Sequence, residues 1–273
     1  MKEGYVLGND YVLQGGDQGA ERLRVLAAVT WPTTKTLLAR VGLRQGIHCL
    51  DVGCGIGAVT LEMAESVKPV GRVVGIDLDE RCLVLGRIEA KRRQLTAEFR
   101  VGSAGELEDI SIYDLVLARF VLTHLRQPEK ALQKMWQAVR PGGIVVVEDI
   151  QFSGHFCYPT CNGFDRYLTL YQEVVIRKGG NPNIGPLLVG MFLDAGLEEV
   201  DLEVVQPTSY KDGPGKQIAA ATMEHIRESV IGARLASKEE INEIIAELDS
   251  FSKNPRTIMS LPRIFQVSGK KPQ

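Results

Sequence analysis

The sequence predicts an α/β protein, a mostly parallel β-sheet with helices on both faces, and three observations carry that reading. From residue 47 onward, short apolar runs alternate with amphipathic stretches of helical period. Strands that run the same way need crossover connections, so this alternation implies a parallel sheet covered by helices. The first apolar run ends in a turn with glycine at every second position, Gly53-Cys54-Gly55-Ile56-Gly57, and a helical stretch follows at once. Ligands of open α/β sheets bind at the carboxyl ends of strands, and this turn is such an end. Proline and glycine also punctuate the chain where helices should start or stop, as at Pro128 and at Pro141-Gly142-Gly143.

Taken in order, residues 1–45 are expected as a helical cap. Tyr11-Val12-Leu13-Gln14-Gly15-Gly16 leads into a helical stretch from about Ala20, and Pro32 suits the first turn of a second helix. The core, 46–150, carries strand 47–52, helix 57–67, strand 72–77, helix 80–94, strands 97–101 and 113–118, helix 128–139 and strand 143–149. In 151–273 an aromatic, glycine-punctuated segment precedes helices near 162–179 and 186–195 and a strand at 197–205. A helical lid is expected over 207–256, with a helical excursion at 214–252 inside it. Ser237 and Glu240 have the spacing of a capping box there. A last strand at 258–268 pairs antiparallel with 197–205 to finish the sheet, and the whole of 1–273 reads as one domain.

Composition narrows the function classes. At 273 residues and 44% hydrophobic, the chain can fill a full core. Lys and Arg total 32 against 34 Asp and Glu, a net charge of −2, without the basic excess that drives binding to a phosphate backbone. No nucleic-acid partner is expected, and Lys91-Arg92-Arg93 reads as a solvated helix face. No run approaches the roughly 18 to 20 apolar residues of a membrane span, and Met1-Lys2-Glu3-Gly4-Tyr5 lacks a signal peptide's apolar core. The expectation is a cytoplasmic protein with no membrane partner. Five cysteines, Cys49, Cys54, Cys82, Cys157 and Cys161, fit a reducing compartment and no structural disulfide. Oligomeric state is not legible in these features.

The glycine turn carries the functional reading. Glycine accepts positive φ and leaves no Cβ between main chain and ligand, so a flat or charged group can lie on the turn beside the next helix. Asp51 stands two residues ahead of Gly53, and the second strand ends Val73-Val74-Gly75-Ile76-Asp77, with an acidic side chain placed to accept hydrogen bonds from both hydroxyls of a ribose. The spacing Gly53-x-Gly55-x-Gly57 differs from the G-x-G-x-x-G of dinucleotide sites. Together these features resemble the first two motifs of the class I S-adenosylmethionine (SAM) dependent methyltransferases, in their bacterial small-molecule branch. The resemblance is specific over roughly 47–150 and rests on layout elsewhere. It implies a Rossmann-like seven-stranded sheet, mostly parallel with an antiparallel final strand, with an N-terminal helical cap and a C-terminal helical insertion. It also implies SAM as cofactor and methyl transfer to the O, N or C of a small organic molecule.

The resemblance assigns Asp51, Gly53, Cys54, Gly55 and Gly57 to the methionine part of the cofactor, Asp77 to its ribose and Leu78 to one face of the adenine. Gly102-Ser103-Ala104 stands where the family has Gly-Asp-Ala. Ser103 is a shorter acceptor for the adenine amino group, which leaves the backbone amide of Ala104 as a second contact. Arg119, ending the fourth strand, is expected beside the cofactor through its backbone. The segment with Tyr11, Gln14 and Arg22 resembles an N-terminal lid, in which Arg22 pairs with the methionine carboxylate and Tyr11 closes over the sulfonium.

Methyl transfer from a sulfonium is an in-line displacement, helped mainly by alignment, which can be worth about 7–11 kcal/mol. A base is needed only where the acceptor must lose a proton. His124, Asp149 and His155, at or beyond the fourth and fifth strand ends, are the candidates. Unperturbed, His124 would titrate nearest neutrality, and Asp149 would orient the acceptor as a carboxylate. Phe152, Phe156, Tyr158, Phe164, Tyr167 and Tyr171 cluster in a chain with only 6% aromatics, which predicts a pocket for a small apolar or aromatic acceptor. His155, Cys157 and Cys161 supply three soft ligands and no fourth, so no metal is expected. Two rival readings stay open: an enzyme of this fold that uses SAM without transferring its methyl, and a non-catalytic SAM-binding module. Release of S-adenosylhomocysteine (SAH) separates transfer from both.

Overall fold

The structure, a computed structural model, describes residues 17–273. Tyr11 and Gln14 lie outside the described residues. Helix α1 (Asp17–Arg40) is followed by β1 (His48–Val52), α2 (Ala58–Val67), β2 (Arg72–Asp77), α3 (Glu80–Arg92), β3 (Ala97–Val101), β4 (Tyr113–Arg119), α4 (Pro128–Ala138) and β5 (Val139–Gln151). Then come β6 (Cys157–Tyr158), α5 (Asn162–Arg177), α6 (Leu188–Asp194), β7 (Glu198–Val205), β8 (Thr208–Tyr210), α7 (Ile218–Gly232), α8 (Lys238–Lys253), β9 (Ile258–Ser260) and β10 (Arg263–Lys270).

Seven strands form the main sheet in the order β3-β2-β1-β4-β5-β10-β7. β1 pairs in parallel with β2 and β4, setting Leu50 beside Val74 and Val116. These strands are buried on both faces, which is why they read as continuous apolar runs rather than alternating ones. β10 is antiparallel to both β5 and β7, so it is the one reversed strand of the sheet, as expected. One face of the sheet is covered by α4 and α6 through Leu132, Met135, Leu188 and Phe192. The other is covered by α1 and α2 through Leu37, Leu38, Met63 and Val67.

Three local expectations need correction. α1 runs unbroken through Pro32 instead of restarting there. An interior proline costs about 3 kcal/mol, but tertiary contacts hold both sides of this one. Thr30 and Thr34 are buried on either side of it, and Thr34 donates to Glu148 at 2.7 Å. The final run 258–268 is two strands, because the chain breaks at Leu261-Pro262 between β9 and β10. β9 joins β6 and β8 in a separate three-stranded sheet, β6-β9-β8, so the inserted segment opens with a strand before its helices begin.

The insertion docks on α5. Met223, Ile226 and Val230 of α7 and Ile241, Ile244 and Leu248 of α8 share one apolar cluster with Phe164, Leu170 and Val174. The capping box at the start of α8 is half formed: the Ser237 hydroxyl accepts from the Glu240 N–H at 3.2 Å, while the Glu240 carboxylate accepts from Arg166 at 2.7 Å. The basic run on α3 is largely a solvated face, with Arg92 paired to Glu89 and Arg93 to Glu62. No helix among the described residues is long and apolar enough to cross a membrane.

Candidate active site

A cavity of about 1360 Å³, mouth included, opens at the carboxyl ends of β1, β2, β4 and β5. Its first wall is the glycine turn. Gly53, Gly55 and Gly57 all take positive φ, at 69°, 54° and 77°. Their reasons differ. A Cβ on Gly57 would stand 2.5 Å from the Phe99 ring, so that glycine is needed for packing behind the turn. A Cβ on Gly55 would meet only Leu23, at 3.6 Å, so this is where the backbone lies open to the cavity.

Asp77 closes the turn from the neighbouring strand. Its Oδ2 accepts from the Gly55 N–H at 2.8 Å and its Oδ1 from the Asp79 N–H at 2.9 Å. Burial raises its pKa against these bonds. Each carboxylate oxygen keeps a further lone pair for a ligand. Asp51 accepts from the Thr60 hydroxyl at 2.6 Å and, fully buried, is pushed up to about 6. Arg119 contributes its guanidinium, beyond the backbone role expected of it. It donates to the Thr30 hydroxyl at 2.8 Å and the Thr34 hydroxyl at 3.3 Å, within the field of Glu148 and Asp51.

The opposite wall is aromatic. The Phe152 ring stacks on Tyr171 with centroids 4.0 Å apart and meets His155 edge-on at 4.4 Å. Tyr167 completes this surface, 5.8 Å from Phe152. Phe164 packs 5.9 Å from His155 but does not line the cavity. Phe156 and Tyr158 are exposed, at 46% and 67%, so the aromatic wall is smaller than the sequence suggests.

Of the residues singled out in the sequence, Arg22, Asp51, Gly53, Cys54, Gly55, Asp77, Arg119, His124 and His155 line this one cavity. Leu78, Ser103 and Ala104 do not, although the Gly102 N–H donates to the Asp77 carbonyl and keeps that segment next to the end of β2. Asp149 is also absent from the lining. Its oxygens accept from the Thr123 and Ile150 N–H groups at 3.0 and 2.9 Å, and burial pushes it up to about 7. It pins the turn after β4 to the end of β5 instead of meeting an acceptor.

Neither cavity histidine titrates near neutrality. Burial, with the charges of Arg22 and Lys178, drives His124 down to about 3. His155 Nδ1 lies 2.8 Å from the Phe152 carbonyl, so Nδ1 carries the proton and Nε2 is left as an acceptor, and burial holds its pKa at about 4. Sequence reasoning missed Ile218, Thr222 and His225 of α7, which also line the cavity. Their i, i+4, i+7 spacing on one helix face was the available signal. No group of metal-ligating side chains occurs among the described residues.

Residues 43–176 match the family described as a methyltransferase domain. That segment, about half of the chain, is a methyltransferase domain. A demethylmenaquinone methyltransferase of Staphylococcus aureus is 33% identical over 144 residues, covering 52% of this chain and 56% of the relative. The match therefore spans about half the length of that curated relative. Two solved structures share the fold. Phosphoethanolamine N-methyltransferase 2 of Haemonchus contortus, in complex with phosphomonomethylethanolamine and SAH, has a TM-score of 0.57 at 15% identity over 92% of this chain and 57% of its own. The 4+2 cyclase SpnF has a TM-score of 0.53 at 20% identity over 96% and 86%. The family match ends at residue 176, before α7.

Proposed function

We propose that this methyltransferase binds SAM along the ends of β1 and β2 and transfers its methyl group to a small apolar or aromatic acceptor held against Phe152, Tyr167 and Tyr171. The observation that carries this is a single cavity with the glycine turn and Asp77 on one wall and an aromatic surface on the other. The fit to the cofactor rests on Gly55, where an added Cβ would meet only Leu23, at 3.6 Å, with no clash.

When bound, SAM supplies a methyl group already activated by its sulfonium. The chain's residues then hold and orient. Asp77 offers its remaining lone pairs to the ribose hydroxyls, and Asp51, Cys54 and the Gly53–Gly57 turn face the methionine part. Arg22 reaches its carboxylate from α1. Leu78, Ser103 and Ala104, beyond Asp77, flank the adenine. At the acceptor end His124 and His155 stay neutral, and His155 Nε2 accepts a hydrogen bond. The proposal includes a cytoplasmic setting without a membrane partner, and no nucleic-acid partner, the last of which the near-balanced charge supports.

Calorimetry with SAM, SAH and NAD tests the donor, and NAD binding without SAM binding would overturn it. Asp77→Ala should weaken SAM binding by about 1.5–3 kcal/mol, the range for hydrogen bonds to a charged group. Incubation with SAM and a panel of small aromatic acceptors, read by mass spectrometry for SAH, tests transfer. An acceptor changed without SAH release would instead support the non-transferring reading.

A further inference from the structure

A buried polar network lies between α1 and the sheet, and the cofactor contacts named so far do not account for it. Thr30, Thr34, Glu148 and Gln266 are each no more than 1% exposed. Glu148 accepts from the Gln266 amide at 2.6 Å through Oε1 and from the Thr34 hydroxyl at 2.7 Å through Oε2. That hydroxyl has one proton to give, and the carboxylate is closer than the Thr30 carbonyl at 3.2 Å. Arg119 donates from Nη1 to the Thr34 hydroxyl at 3.3 Å and to the Thr30 hydroxyl at 2.8 Å, and Thr30 donates to the Leu26 carbonyl at 2.7 Å. A carboxylate and a guanidinium withdrawn from water are thus joined through a threonine of α1. Burying two charges is costly unless they are paired and hydrogen-bonded, so the arrangement needs a reason beyond packing.

The two threonines straddle Pro32, which has no N–H and leaves the carbonyl of Ala28 without its helical bond. α1 is weakest at this point, and here the network reaches it from three strands: Arg119 of β4, Glu148 of β5 and, behind Glu148, Gln266 of β10. On the C-terminal side of the proline, Leu37 and Leu38 are fixed in the apolar core. On the N-terminal side, Leu23, Leu26 and Ala27 line the cavity, and Leu23 is the side chain that faces Gly55. The half of α1 that covers the glycine turn therefore hangs from an anchored half across a weak joint. Glu148 does not line the cavity, so any effect it has on a ligand must pass through that joint.

We propose that Glu148 is a positioning residue for the cofactor: through the Thr34 hydroxyl and Arg119 it holds the N-terminal half of α1 over the glycine turn, so that SAM meets a site already closed on that side. The identity of the occupant rests on the methyltransferase reading, whereas the link from Glu148 to α1 does not.

The test combines hydrogen exchange, read by mass spectrometry on the full chain with and without SAH, and calorimetry of SAH binding. Thr34→Val keeps the side-chain shape and removes the hydroxyl. In the free protein its amides over 21–31 should exchange about three- to tenfold faster than in wild type, the worth of one hydrogen bond, while those over 34–40 and in β1 and β4 keep their wild-type rates. SAH should bind about two- to fivefold more weakly, since only molecules with α1 in place are competent to bind it. Thr34→Ser, which keeps the hydroxyl, should restore both readouts. Glu148→Leu should show the same local pattern, and adding Thr34→Val to it should change little, because both remove one bond. Should Glu148→Leu not fold, Thr34→Val and Thr34→Ser measure that bond from its other end. Faster exchange spread evenly over the chain, unchanged SAH affinity in Thr34→Val, or no recovery in Thr34→Ser would overturn the proposal. Failure of the wild type to bind SAH would sink the methyltransferase reading instead, and the exchange pattern of the free proteins would still decide whether Glu148 holds α1.

Discussion

Gly55 and Gly57 sit two residues apart in one turn, yet substitution should affect them in different ways. Gly57→Ala sets a Cβ against Phe99 at positive φ, so conformational strain and overpacking add. It should lose about 2–4 kcal/mol of unfolding free energy in urea titration. Gly55→Ala carries only the backbone strain of about 1–2 kcal/mol, and its larger effect should appear as weakened SAM binding. Equal stability losses with unchanged SAM affinity would show that neither glycine faces a ligand. A second residue-scale prediction concerns His124. Its folded-state pKa of about 3 lies below the ordinary 6.5, so the unfolded chain binds the extra proton between those values. The stability it contributes is complete above about pH 6.5 and is lost as pH falls toward 3. Relative to His124→Gln, wild type should gain about 2 kcal/mol between pH 5 and pH 7, measured by urea unfolding at both values. Parallel pH profiles would mean that this imidazole is solvated.

Among the elements, α8 offers the cleanest measurement, because a single side chain caps its N-terminus. Ser237→Ala should cost about 0.5–2 kcal/mol. Glu240→Ala tests a different bond, the one to Arg166, since the reciprocal half of the box is not made. The elements also show what a sequence discloses. The parallel strands and their helices were legible, because period and Gly/Pro punctuation are local properties. The path of α1 through Pro32 was not, since the contacts of Thr30 and Thr34 with Arg119 and Glu148 join residues far apart in sequence. The division at Pro262 was hidden for a similar reason: β9 reads as strand, but nothing near it says that its partners are β6 and β8. For the site, Asp51, Asp77 and the glycines announced themselves by spacing. Asp149 misled because a carboxylate at a strand end looks alike whether it meets a ligand or its own backbone. His225 stayed hidden because one histidine in an amphipathic helix carries no motif.

At the scale of the molecule, the cavity draws its lining from α1, the sheet, the aromatic segment, α7 and β10, so a ligand held there ties these parts together. SAH at about one hundred times its dissociation constant should stabilise the fold by about 2.7 kcal/mol, raising the melting temperature by about 5–10 °C. NAD at the same concentration should leave it unchanged, and a scanning calorimeter reads both. The position of β10 bears on how such a molecule comes into being. Its residues are made after those of β5 and β7, yet it lies between them and supplies Ile264 to the cavity wall. While a ribosome is still short of Arg263, β5 exposes a Val145-Val146-Val147 edge, and β7 has no strand to pair with. An open edge of that kind recruits foreign strands. The nascent chain is thus most prone to misassociate during the interval in which α7 and α8 are being translated, and its cavity becomes whole only when that interval closes.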